Sequence, residues 1–385
     1  MEYRTHKGID LSEIGVGLYA LAGVYGKKDV KGIKKMLTRA HELGITVFDT
    51  AEAYGNAESV LGETAAPFRD EIFIATKVGI REGTEPNLSE EYVKAACDDS
   101  LQRLQTEYID LYQVHFDDPS TRVEETIGAL NDLVAMGKIR HYGVGHLPEE
   151  RVKRYCQKGN PFSILMELSA VSRRSLTTLL PLCRAYNTGG IAFSTTGRGI
   201  LTGRFDKTPQ FEPEDIRNID PLFQREQFES ALRIAHTCRT IAVLRGRTPV
   251  QVALAWVLEQ PGIICALTGP SSIPHLKENC GGSGWSLPLE DMTELLALFE
   301  REDQWVRTRQ TETIKSIVSS PLPRNFSEGF KDLLYVMETS ITANIAPEEI
   351  ITPFFHELIK TRKEKDQKKL REIQGNLKGL LNSLW

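Results

Sequence analysis

The sequence predicts an α/β chain: a (β/α)8 TIM barrel with a C-terminal helical extension. Three observations carry this. Eight short apolar runs lack the polar alternation of a half-exposed strand, so each reads as a strand buried on both faces. Amphipathic stretches with three- and four-residue apolar spacing separate them, as helices packed on one side require. The rival, an open doubly wound sheet, normally has a Gly-rich turn between its first strand and helix. Here that position reads LYALAGVYGKKD, without GxGxxG spacing.

In order, the strand candidates are EIGVGL near 13–18, ITVFDT at 45–50, EIFIATK at 71–77, IDLYQVH at 109–115, RHYGVG at 140–145, FSILMEL at 162–168, GIAFST at 190–195 and IICALTG at 263–269. Between them lie helical patterns such as VKGIKKMLTRAHEL and EEYVKAACDDSLQRL. Eight such units close a barrel of ordinary size, about 250 residues or more. The helix DMTELLALFERED completes it, giving a barrel domain over 1–302. Residues 303–385 read as three or four helices punctuated by Pro321, Pro323, Pro347 and Pro353. Within them, KEKDQKKLRE reads as a solvated helix face.

Composition narrows the function classes. The 385 residues are 41% hydrophobic and 26% charged, with a net charge of −5, so nothing draws the chain toward nucleic acid or an anionic membrane. Six cysteines are scattered without a CxxC pair, which argues against a zinc or iron–sulfur site and fits a reduced cytoplasmic setting. MEYRTHKGID has no apolar core of a signal peptide. No apolar run reaches the ~20 residues that span a bilayer.

Four residues stand at or just beyond strand ends: Asp49, Tyr54, Lys77 and His115. The C-terminal face of such a barrel is where chemistry is placed. A carboxylate, a phenol, an amine and an imidazole converging there suit proton transfer at one reacting atom. Each alone has a structural reading: a buried Asp–Lys pair, an aromatic lead-in to a helix, a core histidine. The four together, in order, favour an acid–base site.

FDTAEAYGNAESVLGE, IATKVG and SLQRLQTEYIDLYQVH resemble the aldo-keto reductase superfamily, and RGILTGRF and LTGPSSIPHLKEN look like its later markers. The likeness covers about residues 5–300 and leaves the tail unexplained. It implies a nicotinamide-dependent oxidoreductase interconverting a small carbonyl and an alcohol. Tyr54 would be the general acid or base, and Lys77 would lower its pKa. Asp49 would hold Lys77, and His115 would position the substrate oxygen. The hydride would come from NADP or NAD.

The resemblance also implies cofactor contacts. Ser194, Gly197 and Leu201 belong to the loop after the seventh strand, and Gly269, Ser271 and Ser272 to the loop after the eighth. Backbone N–H groups at the following helix start suit an anion. Glu278 and Asn279 match an adenine-contacting pair. The family's cation for the 2′-phosphate is replaced by Ser271 and Ser272, with Lys277 the nearest positive charge, so NADH and NADPH both stay open. The family's Ser-Asn after the fifth strand is Gly145-His146 here. Its carboxamide-binding Gln on the sixth strand is Met166 or the neighbouring Glu167. Phe193 supplies the stacking ring. His146 reads either as a substitute amide donor or as a loop-surface histidine.

Two other functions share the scaffold: a cofactor-sensing regulatory subunit, suggested by the tail, and a lyase or dehydratase in which Tyr54 and Lys77 abstract a proton. Phe330, Tyr335, Phe354 and Phe355 are expected to cap the site or form a homo-oligomer contact, with an outer scaffold pair as the alternative. Substrate identity lies in loop chemistry and is not legible here.

Overall fold

A computed structural model describes residues 1–26, 29–80, 84–207, 209–213, 215–343 and 345–384. All eight expected runs are strands: β3 (Ile14–Gly17), β4 (Val47–Asp49), β5 (Phe73–Val78), β6 (Ile109–Val114), β7 (Ile139–Gly145), β8 (Ser163–Glu167), β9 (Gly189–Phe193) and β10 (Ile263–Thr268). They close in the order β10-β3-β4-β5-β6-β7-β8-β9, and every neighbouring pair is parallel. Helices such as Val30–Glu42, Glu90–Leu104 and Pro249–Leu258 connect them.

Two strands precede the barrel that the sequence reading did not anticipate, β1 (Tyr3–His6) and β2 (Ile9–Ser12). They pair antiparallel through Lys7-Gly8, both at positive φ (48° and 81°), the conformation of a tight two-residue hairpin turn. Leu11 from this hairpin joins a core with Val47, Phe73, Ala75, Leu111, Phe162, Leu165 and Ile191. That core fixes which way each strand faces. Side chains two residues apart share a face. Asp49, Lys77, Gln113, Glu167 and Phe193 therefore follow Val47, Ala75, Leu111, Leu165 and Ile191 on the inward side. A hydrogen bond across the interior, Ser163 Oγ to Gln113 Oε1 at 3.2 Å, agrees with that parity.

By internal packing the chain divides into two compact units, 1–204 with 235–292, and 205–234 with 293–385. The expected division at 302 falls inside one continuous helix, Leu289–Ser319. No Gly or Pro occurs before Pro321 to stop that helix. Residues 205–234, read from sequence as barrel, group with the C-terminal helices.

The second unit contains the helices Phe326–Thr342, Glu348–Glu364 and Gln367–Leu384. Pro353 does not punctuate: it lies within Glu348–Glu364. The unit has its own core, including Ile314, Leu333, Ile351, Leu370 and Leu377. Phe330 and Tyr335 are buried in it, and Phe354 and Phe355 pack against it. Tyr335 donates its hydroxyl hydrogen bond to the buried Glu226 carboxylate, and Arg233 chelates Glu302 with bonds of 2.8 and 2.7 Å. No single helix among the described residues is long and apolar enough to cross a membrane.

Candidate active site

The inward parity of β4 and β5 brings Asp49 and Lys77 together at the C-terminal end of the barrel. Lys77 Nζ donates to Asp49 Oδ1 at 2.6 Å and to the Thr50 carbonyl at 2.6 Å. Tyr54 lies in the turn after β4, and Lys77 Nζ stands 4.9 Å from its ring centroid, over the face. His115, one residue past β6, meets the Tyr54 ring edge-on with centroids 5.6 Å apart. All four side chains are buried, so the residues singled out from sequence form one cluster.

Burial dominates the electrostatics. It pushes the Asp49 carboxyl up and the Lys77 amine down, and each partner's charge opposes the shift on the other. The Tyr54 phenol is driven well above its ordinary value by burial, with Asp49, Tyr19 and Tyr25 adding to the rise. This departs from the expectation that Lys77 lowers the phenol. The ammonium is already committed to Asp49 and the Thr50 carbonyl, and it faces the ring. In this geometry Tyr54 holds its proton. Burial, then Lys77 and His146, hold the His115 imidazole well below the usual histidine range, so it is neutral at pH 7. His115 Nδ1 and Asp49 Oδ2 are buried without a hydrogen-bond partner among the described residues.

Two carboxylates that the sequence reading passed over brace this half. Glu52 Oε1 accepts from Gly79 N at 2.9 Å and Tyr92 Oη at 3.1 Å, tying the Tyr54 turn to the loop after β5. Glu58 accepts from Thr76 Oγ1 at 2.6 Å and Arg103 Nε at 2.6 Å, next to Lys77. Both lie within AEAYGNAESV, the segment that carries Tyr54.

The residues expected to bind the cofactor lie on β7 to β9, the loops after them and after β10, and the helix Ile273–Cys280. His146 follows Gly145 at the end of β7, with its ring 5.4 Å from His115, 5.1 Å from Phe116 and 4.7 Å from Phe193. Surrounding protein, Lys77 and Arg198 hold its imidazole below the usual range, although the residue stays exposed at the mouth. Met166 is buried on the opposite face of β8, its Cε 3.3 Å from where a side chain on Gly190 would begin. Glu167 faces inward instead, opposite Phe193 in the strand register, and Arg198 Nη1 donates to its Oε1 at 2.8 Å. Counting by twos from Leu165 would have chosen Glu167 over Met166; nothing in the motif marked Arg198 as its partner.

Beyond β9 and β10 the loops are shaped for close approach. Ser194, Gly197, Arg198 and Gly199 all take positive φ (53°, 57°, 50° and 100°), and Leu201 is buried. Gly269 borders open space, with nothing within 4 Å of where a side chain would begin. Ser272 caps the helix Ile273–Cys280 by accepting from His275 N, and Ser271 Oγ is 2.9 Å from His275 Nδ1. Lys277 is exposed, Glu278 half-buried and Asn279 buried on this helix. An accessible helix N-terminus, an open glycine and the inward Phe193 ring together fit an elongated anionic dinucleotide.

A model of the aldo/keto reductase family matches residues 13–299. Aldo-keto reductase YhdN of Bacillus subtilis is 32% identical over 316 residues, covering 78% of this chain and 94% of that protein. Probable aldo-keto reductase 1 of Glycine max is 33% identical, covering 75% and 86%. Among solved structures, the glycerol dehydrogenase AKR11B4 from Gluconobacter oxydans superposes with a TM-score of 0.72 at 27% identity, covering 78% and 96%. The holo form of aldo-keto reductase AKR11C1 from Bacillus halodurans gives 0.65 at 27% identity, covering 77% and 96%.

Proposed function

The chain belongs to the aldo/keto reductase family, and on that premise we propose that it is a nicotinamide-dependent oxidoreductase that reduces small carbonyls with Tyr54 as the general acid. One observation carries the reading: a phenol that keeps its proton stands between a buried Lys77–Asp49 pair and a neutral His115.

Each residue has a task. Tyr54 delivers its proton to the carbonyl oxygen as negative charge develops there. Lys77 then stabilises the phenolate left behind, and Asp49 keeps the ammonium oriented. Neutral His115 donates a hydrogen bond to the substrate oxygen and fixes its distance from Tyr54. Burial excludes water, so these few dipoles act at low dielectric. When bound, the nicotinamide supplies the hydride. Phe193 and His146 would flank its ring, and the β9 and β10 loops with Ser271 and Ser272 would hold the phosphates.

The test is a spectrophotometric assay at the nicotinamide absorbance, with NADH and NADPH against aldehydes, ketones and sugars, and with NAD⁺ and NADP⁺ against small polyols. Polyols belong in the panel because a structural neighbour is a glycerol dehydrogenase. Carbonyl-dependent oxidation of either cofactor is the expected outcome. Absence of turnover across the panel, with cofactor bound, would return the site to a sensing role.

A further inference from the structure

Glu167 puts a charge where the resemblance predicts a neutral amide. It shares the inward face of β8 with Ser163 and Leu165, is the register partner of Phe193, and is held by Arg198 at 2.8 Å. Given the nicotinamide placement proposed above, on which this inference rests, we propose that Glu167 senses the cofactor's redox state and makes the site bind the oxidised dinucleotide more tightly than the reduced one.

The two cofactor forms differ by a charge at the ring. The oxidised ring is a pyridinium cation, and the reduced ring is neutral. A fixed carboxylate beside it interacts with the first through a full charge and with the second only through dipoles. The other groups nearby do not erase this contrast. Lys77 is paired with Asp49, though its charge still reaches His115 and His146, and both imidazoles are neutral at pH 7. Arg198 offsets part of the carboxylate's charge while fixing its position. A ligand shifts an equilibrium only by its differential affinity for two states.

The consequence follows from the reaction's balance. The hydride leaves the reduced ring for the carbonyl carbon, the Tyr54 proton goes to its oxygen, and a pyridinium and an alcohol remain. Favouring the pyridinium pulls the enzyme-bound equilibrium toward carbonyl reduction. The cost is slower release of the oxidised cofactor.

The experiment measures dissociation constants by calorimetry for the oxidised and reduced dinucleotides and for ADP-ribose, which lacks the nicotinamide. Wild type, Glu167→Gln and Arg198→Gln are compared at pH 7.5. In Glu167→Gln the oxidised form should weaken about fivefold, a screened charge–charge effect, with the reduced form and ADP-ribose within about twofold. In Arg198→Gln the ratio of reduced to oxidised constants should move the opposite way. That variant carries the test if Glu167→Gln does not fold. Equal changes in both redox forms, or an unchanged ratio in both variants, would overturn the proposal. Failure of wild type to bind any dinucleotide would overturn the cofactor reading beneath it.

Discussion

The two halves of the barrel mouth are built on different terms. On the β4–β6 side, Asp49, Tyr54, Lys77 and His115 are buried and locked by short bonds and ring contacts, with the backbone of all four at negative φ. On the β7–β10 side, His146, Ser194 and Arg198 all adopt left-handed backbone, and the expected amides are replaced by an imidazole and an Arg–Glu pair. Strained non-glycine backbone persists only where surrounding structure enforces it. One half is sealed and held by short bonds; the other is open and built on left-handed backbone.

The largest expected effect tests that division directly. Tyr54→Phe keeps the ring and its contacts with His115 and Tyr19 but removes the proton proposed to pass to the carbonyl oxygen. kcat/KM should fall by about 10²–10⁴, while the cofactor dissociation constant stays put. A comparable loss of cofactor affinity would show that the two halves are one. Lys77→Met comes next. It strands Asp49 in a buried site, and breaking such a pair costs about 3–5 kcal/mol. Urea denaturation should show the loss, and Asp49→Asn added to Lys77→Met should recover much of the stability without restoring turnover.

The same asymmetry governs how much was legible in the sequence. All eight barrel strands were, because a strand buried on both faces leaves an uninterrupted apolar run. The hairpin over 3–12 was not: YRTHKGIDLS is mostly polar, and its signal is a turn, Lys7-Gly8, with no apolar run beside it. Asp49 and Lys77 were readable because they stand at the ends of apolar runs, and Tyr54 and His115 because they come just beyond the β4 and β6 runs. On the other side, Met166 and Glu167 are neighbours, and only the inward parity set by Leu165 separates them. Arg198 reaches Glu167 from 31 residues away, a pairing no local pattern encodes. The packing of the tail's aromatics was left open for a related reason. An amphipathic helix announces an apolar face but not what it packs on.

A milder change probes the cofactor half alone. Ser271→Arg places a guanidinium beside the start of Ile273–Cys280, where Ser271 now bonds His275. A charge-assisted contact to a 2′-phosphate is stronger than a neutral hydrogen bond, so the ratio of NADPH to NADH affinity should rise about tenfold. Turnover at saturating cofactor should hardly change. A fall in kcat instead would mean that the adenosine grip is coupled to proton transfer.

The smallest effect separates the halves by their histidines. His115 is buried, and its folded pKa lies well below the ~6.5 of the unfolded chain. Below that pH the unfolded state binds a proton that the folded state refuses. The His115 contribution is therefore complete above about pH 6.5 and is lost as the pH falls toward the folded pKa. Going from pH 7.5 to 5.5 should cost about 1 kcal/mol through this residue. His146 shifts in the same direction, but it is exposed, and solvent weakens its share. His6 and His141 are lowered as well, so the comparison must be made between variants. Urea midpoints across this range should flatten in His115→Asn and barely change in His146→Asn. Equal flattening would place both rings in one buried environment, and the distinction between a sealed proton-transfer half and an open cofactor half would fail at its centre.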